Sequence, residues 1–309
     1  MSRVAFVYPG QGSQKVGMGR EVFEQSKQAR EVFQTADDVL GFSLRTMCFE
    51  GPEEALKLTA NTQPAILTTS LALHRAFGET PDVVAGHSLG EWTANVVAGS
   101  IGMSDAIRLV RLRGTYMQEA VPVGTGAMAA VLKAERELVD RVCRETPGVV
   151  EPVNYNCPGQ IVIAGEAKAV EAASERLKAE KARVMPLPVS APFHCSLMEP
   201  AERRLALDLA KVEMRDARFP LYTNIGAAPV TRGEELKSAL LRQVSRAVRW
   251  EEAVTQMVED GVRLFVEIGP GRVLTGLISR ITSEAKVVSV QTPDDFAAAR
   301  DAIAEARNG

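Results

Sequence analysis

The sequence predicts an α/β protein whose mostly parallel sheet is interrupted by a smaller inserted unit. Short apolar strand patterns alternate with helical patterns along most of the chain, which is typical of parallel sheets. Between residues 127 and 189 the order changes to β-α-β-β-α-β, the order of a ferredoxin-like unit. A G-x-S-x-G turn at residues 86–90 also joins an apolar strand pattern to a helical one, which places a serine at the sheet edge.

Each element of the larger unit is predicted from its own pattern. Apolar runs predict strands, and Pro64 marks a helix start because proline is tolerated in a first helical turn. In chain order we predict strand 4–8, helix 20–40, helix 63–77, strand 83–86, a helix after residue 90, helix 104–120, and strands 221–225 and 263–268.

The smaller unit has its own series of patterns between two turn-rich segments. It contains strand 127–132, helix 135–145, strands 149–155 and 160–164 around a turn at Pro158-Gly159, helix 167–181 and strand 183–189. We therefore predict a large α/β domain from residues 1–124 and 191–309, and an inserted ferredoxin-like domain from residues 125–190. Clefts between such domains are favoured ligand sites.

Composition excludes several classes of protein. The 309 residues are 46% hydrophobic and 24% charged, as expected of a globular protein with a sizeable core. The net charge of −3 argues against nucleic-acid binding, and no apolar run approaches the roughly 20 residues that cross a bilayer. The N-terminus reads as a strand without a signal-peptide pattern, so we expect a cytoplasmic protein. Four cysteines lie far apart without a C-x-x-C pair, so neither a metal site nor disulfides are expected.

Ser88 is the candidate nucleophile. It lies at the centre of Gly86-His87-Ser88-Leu89-Gly90, where a tight turn would raise its hydroxyl clear of the sheet edge beside a helix N-terminus. The flanking glycines avoid side chains where strand and helix cross closely. The five-residue pattern is short enough to occur by chance, so other residues have to support it.

A serine hydroxyl needs a base within hydrogen-bond distance, and the chain has only three histidines. His74 lies in a helical pattern and fits a surface or packing residue, while the turn points His87 away from the hydroxyl of Ser88. His194 lies where the chain leaves the predicted insertion and is the candidate base by elimination; a hydrogen-bonded loop histidine is the alternative. Adjacent side chains rarely act together, so we interpret Cys195 as a small buried residue.

Arg113 is singled out by helical geometry. In a helix over residues 104–120 with Ser104 as its N-cap, Arg113 falls within the apolar stripe beside Val110 and Met117. A buried guanidinium has to meet an anion, because an unpaired buried charge is strongly destabilising. Two partners are compatible with the sequence: an internal carboxylate in a salt bridge, or a substrate carboxylate held through two hydrogen bonds.

Together these residues resemble the malonyl-coenzyme A:acyl carrier protein transacylases along nearly the whole chain. The motifs that carry the resemblance are Pro9-Gly10-Gln11-Gly12-Ser13-Gln14, Thr62-Gln63-Pro64-Ala65, Gly86-His87-Ser88-Leu89-Gly90-Glu91, Arg113-Gly114, Pro192-Phe193-His194-Cys195, Val248-Arg249-Trp250 and Glu267-Ile268-Gly269-Pro270-Gly271. The resemblance implies an α/β-hydrolase-like core with a ferredoxin-like insertion.

The resemblance also implies a role for each matching residue. Ser88 would carry the acyl group, His194 would be its base, and Arg113 would bind the malonyl carboxylate. The backbone N–H groups of Gln11 and Leu89 would form the oxyanion hole.

Two further positions follow from the same resemblance. The backbone carbonyl of Gln243 would orient the histidine. Phe193, directly before the histidine, resembles the residue in members that select malonyl groups, since its ring would crowd an α-methyl branch on the acyl group. The chain departs from several members at Arg246-Ala247, where they have Asn-Pro.

The implied activity is transfer of a malonyl group from malonyl-CoA, through a malonyl-serine ester, to the phosphopantetheine thiol of acyl carrier protein in fatty-acid synthesis. No cofactor or metal is expected; the partner is an acidic carrier protein, and the chain is expected to be a monomer. A stand-alone acyltransferase of a polyketide synthase or a malonate-decarboxylase subunit would share these motifs. A serine esterase or thioesterase would share the G-x-S-x-G turn, but the chain lacks the Asp or Glu followed by a His near its C-terminus that such a hydrolase would have.

Overall fold

Two β-sheets organise the chain in the computed structural model, which describes residues 2–189 and 191–308. Met1, Ser190 and Gly309, which the predicted domain limits include, lie outside the described residues. The strands are β1 (Arg3–Tyr8), β2 (Val83–Gly86), β3 (Gly126–Leu132), β4 (Val150–Cys157), β5 (Gln160–Glu166), β6 (Arg183–Pro186), β7 (Leu221–Tyr222), β8 (Pro229–Val230), β9 (Val248–Arg249), β10 (Val262–Ile268) and β11 (Lys286–Val290). The α-helices are α1 (Arg20–Gln25), α2 (Lys27–Leu40), α3 (Leu44–Glu50), α4 (Glu53–Lys57), α5 (Thr59–Phe77), α6 (Gly90–Ala98), α7 (Met103–Glu119), α8 (Arg136–Glu145), α9 (Ala167–Ala179), α10 (Glu199–Leu209), α11 (Gly233–Arg242), α12 (Trp250–Glu259), α13 (Val273–Ile281) and α14 (Phe296–Asn308).

The larger sheet has the strand order β11-β10-β1-β2-β7-β8. Its strands from β11 to β7 run parallel, and only β8 pairs antiparallel with its neighbour. The central strand β1 is buried on both faces: Phe6 packs into one core cluster, and Val7 packs into another on the opposite side. Burial on both faces explains why this strand is a continuous apolar run. The predicted α/β class is confirmed.

The smaller sheet has the order β6-β3-β5-β4-β9. Its first four strands pair antiparallel, and helices α8 and α9 pack against them around a separate core cluster. The chain turns between β4 and β5 at Pro158-Gly159, where the sequence predicts a turn. The edge strand β9 comes from far along the chain and pairs parallel with β4, which the sequence did not indicate.

The helix predicted at residues 63–77 begins four residues earlier, at Thr59. The backbone N–H of Thr62 donates to the carbonyl oxygen of Leu58, which closes a turn ahead of Pro64. Thr59, Asn61 and Thr62 of this turn are buried, so tertiary packing extends the helix past the proline that was expected to mark its start.

The helices predicted at 104–120 and 20–40 also differ from the structure. The helix predicted at 104–120 has Gly102 at its N-cap, and the expected cap by Ser104 is wrong because the first turn closes ahead of that residue. The stretch predicted as one helix at 20–40 is divided at Ser26, whose hydroxyl accepts a hydrogen bond from the first turn of α2.

Candidate active site

Ser88 lies on the tight turn between β2 and α6. Its φ of 50° falls in the left-handed region, which strains a residue other than glycine. A Cβ on Gly86 would come within 2.0 Å of the carbonyl carbon of Gly90, and a Cβ on Gly90 would come within 2.0 Å of the carbonyl oxygen of Tyr8. Glycine at both positions therefore allows the strand and the helix to cross closely around the serine.

His194 reaches the hydroxyl of Ser88 from the segment that follows the smaller sheet. The Oγ of Ser88 lies 2.7 Å from Nε2 of His194, and Nδ1 of His194 lies 2.6 Å from the carbonyl oxygen of Gln243. Because a carbonyl oxygen can only accept, Nδ1 donates to it, and Nε2 is left to accept the serine proton. Burial, and then the charge of Arg113, lower the pKa of His194 to about 3, so the ring is neutral at pH 7.

The other two histidines and Cys195 are held away from this pair. Nε2 of His87 lies 2.8 Å from Oδ1 of Asn156, and the ring of His74 packs against Tyr8. The Cys195 thiol donates to a backbone carbonyl, and burial raises its pKa to about 12. A protonated, buried thiol is a poor nucleophile, in line with the interpretation of Cys195 as a packing residue.

Arg113 is buried on α7, and neutral groups hold its guanidinium. One terminal nitrogen donates to Oε1 of Gln63 and the other to Oε1 of Gln243, each at 2.8 Å. The second nitrogen also lies 3.4 Å from Oγ of Ser88. Within the described residues no carboxylate forms a salt bridge with it, so the internal ion pair considered from the sequence is absent there. Burial lowers the pKa of Arg113 to about 10, with an opposing effect of Glu91, and the group stays charged at neutral pH.

Gln11 and Leu89 line the same cavity as Ser88. In the part of the chain that the structure describes, neither backbone N–H donates to a protein acceptor. Leu89 directly follows the serine, where a backbone N–H of this kind can stabilise negative charge on a substrate oxygen. Both backbone groups are therefore available to a ligand.

The cavity beside Ser88 has a volume of about 120 Å³ and lies between the two sheets. The smaller sheet and the segment after it contribute apolar side chains, among them Met128 and Leu187. Phe193 forms part of the same wall and is buried. Asn154, on β4, also lines the cavity, and its buried Oδ1 has no hydrogen-bond partner among the described residues. The space suits a short acyl group with a polar terminus.

Asn224 supports the turn of Ser88, and sequence reasoning did not identify it. Its Oδ1 accepts from the backbone N–H of Ser88 at 2.6 Å, and its Nδ2 donates to the carbonyl oxygen of Gly86 at 2.6 Å. Asn224 falls in the strand predicted at 221–225, but β7 ends at Tyr222, because beyond it the backbone N–H of Asn224 donates to Oε2 of Glu91 instead of to a strand of the larger sheet. A polar residue at the end of a predicted strand was the available signal.

The side chains of Gln63 and Gln243 were also not assigned to the site. Gln63 belongs to the quoted Thr62-Gln63-Pro64-Ala65 motif, and only the backbone carbonyl of Gln243 was singled out. Both amides contact Arg113, so they fix the direction of its charge.

Residues 2–189 and 191–308 contain no group of three or more His, Cys, Asp or Glu side chains that could hold a metal ion. Across the same residues, every helix is too short or too polar to cross a membrane.

The chain is similar to known proteins over nearly its whole length. The model of the acyl transferase domain family matches residues 5–294. The malonyl CoA-acyl carrier protein transacylase of Bacillus subtilis is 45% identical over 313 residues, covering 99% of this chain and 98% of the relative. The protein of the same name from Escherichia coli K12 is 45% identical over 306 residues, covering 97% and 99%.

Solved structures of similar proteins superpose closely. An acyl carrier protein S-malonyltransferase from Vibrio cholerae has a TM-score of 0.94 at 45% identity, covering 96% of this chain and all of that one. A malonyl-transacylase in complex with a type II polyketide synthase acyl carrier protein has a TM-score of 0.95 at 44% identity, covering 97% and 100%.

Proposed function

Because the chain belongs to the acyl transferase domain family, we propose that it is a malonyltransferase, moving the malonyl group of malonyl-CoA to the phosphopantetheine thiol of an acyl carrier protein. Its relatives carry that name, and the similarity spans nearly the whole of each chain. The transfer runs through a malonyl ester of Ser88, with fatty-acid synthesis as the pathway.

The observation that carries the choice of acyl group is the position of Arg113. Its guanidinium lies 3.4 Å from the nucleophilic oxygen, at the hydrogen-bond limit, and its two closer partners are the amide oxygens of Gln63 and Gln243. A buried guanidinium without a carboxylate partner is costly unless an anion joins it. The free carboxylate of a malonyl group supplies that anion while its thioester carbon faces Ser88.

In the first half-reaction, Oγ of Ser88 transfers its proton to Nε2 of His194 and attacks the thioester carbon. The N–H groups of Gln11 and Leu89 donate to the developing oxyanion. The carbon–sulfur bond then breaks, and His194 returns the proton to the coenzyme A sulfur. The products are the malonyl-serine ester and coenzyme A thiol.

In the second half-reaction, the pantetheine thiol of the carrier protein gives its proton to His194 and its sulfur attacks the ester carbon. The carbon–oxygen bond to Ser88 breaks, and His194 returns the proton to Oγ. The carbonyl of Gln243 keeps Nδ1 as the donor throughout, so the catalytic unit is a Ser–His pair whose base, His194, is oriented by a neutral acceptor. Phe193 narrows the wall beside the acyl group and disfavours an α-methyl branch. No metal or redox cofactor enters either step.

We further infer the architecture and setting of the enzyme. The strand order β6-β3-β5-β4 supports a ferredoxin-like insertion at residues 125–190, and the parallel sheet supports an α/β-hydrolase-like core from residues 1–124 and 191–309. One chain supplies all the residues of the proposed mechanism, which suits a monomer. We propose the cytoplasm as the place where it acts. The carrier protein is acidic, and a polyketide carrier is the alternative acceptor, since one similar structure is a complex of that kind.

Intact mass spectrometry tests the proposal directly. The purified protein is mixed separately with malonyl-, methylmalonyl- and acetyl-CoA, and we expect a rapid mass increase of one acyl group with malonyl-CoA alone. Adding holo acyl carrier protein should then remove the group from the enzyme and place it on the carrier. Rapid release of free malonate without transfer would instead identify a thioesterase, and equal labelling by all three donors would contradict malonyl selection.

The rate of malonyl-enzyme formation should stay nearly constant between about pH 5 and 8. A histidine with the ordinary pKa of 6.5 would become protonated, and so stop acting as a base, as the pH falls from 8 to 5. Burial and the charge of Arg113 lower the pKa of His194 to about 3. The lowered pKa keeps His194 neutral at lower pH, so the fall of the acylation rate on the acid side shifts to below pH 5. Quench-flow acylation at saturating malonyl-CoA measures it, and an acid limb centred near pH 6.5 would contradict the assignment.

A further inference from the structure

Glu91 is a buried carboxylate to which the proposed reaction assigns no role. It lies at the start of α6, three residues after Ser88, and its side chain has no exposed surface. Its Oε2 accepts from Nε2 of Gln243 at 3.0 Å and from the backbone N–H of Asn224 at 2.9 Å. Within the described residues its Oε1 has no hydrogen-bond partner. Burial of a carboxylate without an ion pair is unfavourable, so its presence beside the site needs an explanation.

The two donors to Glu91 are the residues that orient the reacting groups. Gln243 contacts His194 through its backbone carbonyl and Arg113 through its side-chain oxygen. Asn224 holds the backbone N–H of Ser88. Oε2 of Glu91 is therefore hydrogen-bonded to both of the residues that hold Ser88, His194 and Arg113 in place.

The amide of Gln243 has two orientations of nearly equal shape. In one, its oxygen accepts from Arg113; in the other, its NH₂ group would face the guanidinium, donor against donor. An ionised carboxylate only accepts, so Glu91 attracts the NH₂ group, which also donates to the carbonyl oxygen of Ser88 at 3.2 Å, and the amide oxygen is left for Arg113. Burial raises the pKa of Glu91 to about 7, opposed by the hydrogen bonds from Asn224 and Gln243. A protonated carboxyl still presents an accepting oxygen to the same donors.

We propose that Glu91 is a positioning residue for acyl-group selection: it orients the Gln243 amide with its oxygen toward Arg113, and the guanidinium is thereby directed into the cavity. Glu91 touches neither substrate nor the reacting atoms. The inference rests on the proposed function, because it concerns how the site distinguishes a carboxylated acyl group from an uncharged one.

The test compares second-order rate constants of acyl-enzyme formation with malonyl-CoA and acetyl-CoA, measured by quench-flow and intact mass spectrometry. In Glu91→Leu the Gln243 amide keeps only the carbonyl oxygen of Ser88, at 3.2 Å, as an acceptor for its NH₂ group. We expect the malonyl-to-acetyl ratio to fall about 10-fold, the lower end of the effect seen when the outer partners of metal ligands are removed. Glu91→Gln can present an oxygen to both donors, so it should keep the ratio. A Glu91→Leu ratio equal to that of the unsubstituted protein, or an equal fall in Glu91→Gln, would overturn the inference.

Gln243→Leu tests the same link without changing Glu91, because the backbone carbonyl that accepts from His194 is retained. It should lower the ratio by a similar factor, and adding Glu91→Leu should lower it no further. Two independent reductions that multiply in the double variant would overturn a route through Gln243. This arm keeps the inference falsifiable if Glu91→Leu does not fold.

Glu267 provides a matched control. It is another fully buried carboxylate, and its hydrogen bonds go to Leu274 and Thr275 at the start of α13. Glu267→Leu should leave the malonyl-to-acetyl ratio unchanged; a fall matching that of Glu91→Leu would mean that any buried carboxylate affects the ratio. An unsubstituted protein that forms no malonyl adduct would refute the proposed function itself. A normal adduct with an unaltered ratio in the variants would refute only the role of Glu91.

Discussion

Replacing Ser88 with alanine is expected to abolish the covalent acyl-enzyme and to lower the rate of malonyl transfer by at least about 10⁴-fold. The hydroxyl is the only group of Ser88 that can form the ester, and its proton acceptor His194 lies 2.7 Å away. Intact mass spectrometry after mixing with malonyl-CoA should detect no mass increase, and the assay with carrier protein should detect no transfer. His194→Ala should cause a loss of similar size, and the double variant should be little worse, because the two groups act as a unit.

Ser279→Ala is the matched control for this experiment. Ser279 is exposed on α13, and its hydroxyl donates only to a backbone carbonyl one turn earlier. It should acquire the malonyl group at the normal rate. A stable malonyl adduct on Ser88→Ala would remove Ser88 from the mechanism and direct attention to another nucleophile.

Replacing Arg113 with alanine is expected to cause the second large effect, on the choice of acyl group. Loss of one partner of a buried, hydrogen-bonded charge pair costs about 2–5 kcal/mol, which corresponds to roughly 30- to 4000-fold in rate constant for the malonyl donor. An acetyl group has no carboxylate that depends on Arg113, so the acylation rate constant for acetyl-CoA should rise relative to that for malonyl-CoA. Acylation rate constants for the two donors measure this change.

Arg108→Ala separates the role of the site arginine from a general effect on α7. Arg108 lies on the same helix but is half exposed and bonds to Asp105. The malonyl-to-acetyl ratio should not change in this variant. An unchanged ratio in Arg113→Ala would instead assign the arginine a purely structural role.

Local patterns in the sequence were sufficient for the elements that carry the nucleophile. The apolar run of β1 and the glycines around Ser88 depend on contacts close in sequence or on burial from both sides, and both leave a visible pattern. The predicted helix boundaries were wrong where packing between distant segments decides the structure. The start of α5 at Thr59 is an example, because burial extends the helix beyond Pro64.

The inner part of the site could be predicted only in part. His194 could be found by elimination, since only three histidines exist, and Arg113 by its place on an apolar helix face. The contacts of Asn224 and Gln243 with Glu91 join residues 133 and 152 positions apart. No local periodicity records such a contact, so these supports became visible only in three dimensions.

The edge strand β9 limits how this protein can be recombined with its relatives. Val248–Arg249 extends the smaller sheet beside β4, while the backbone N–H of Arg249 donates to the carbonyl oxygen of Asn224. The smaller sheet is thus anchored to a residue that supports the nucleophile, a few positions after Gln243. A chimera that exchanges the four antiparallel strands alone would leave a foreign β4 against the native β9. For a graft to retain an intact site, it has to include the edge strand together with the sheet it completes.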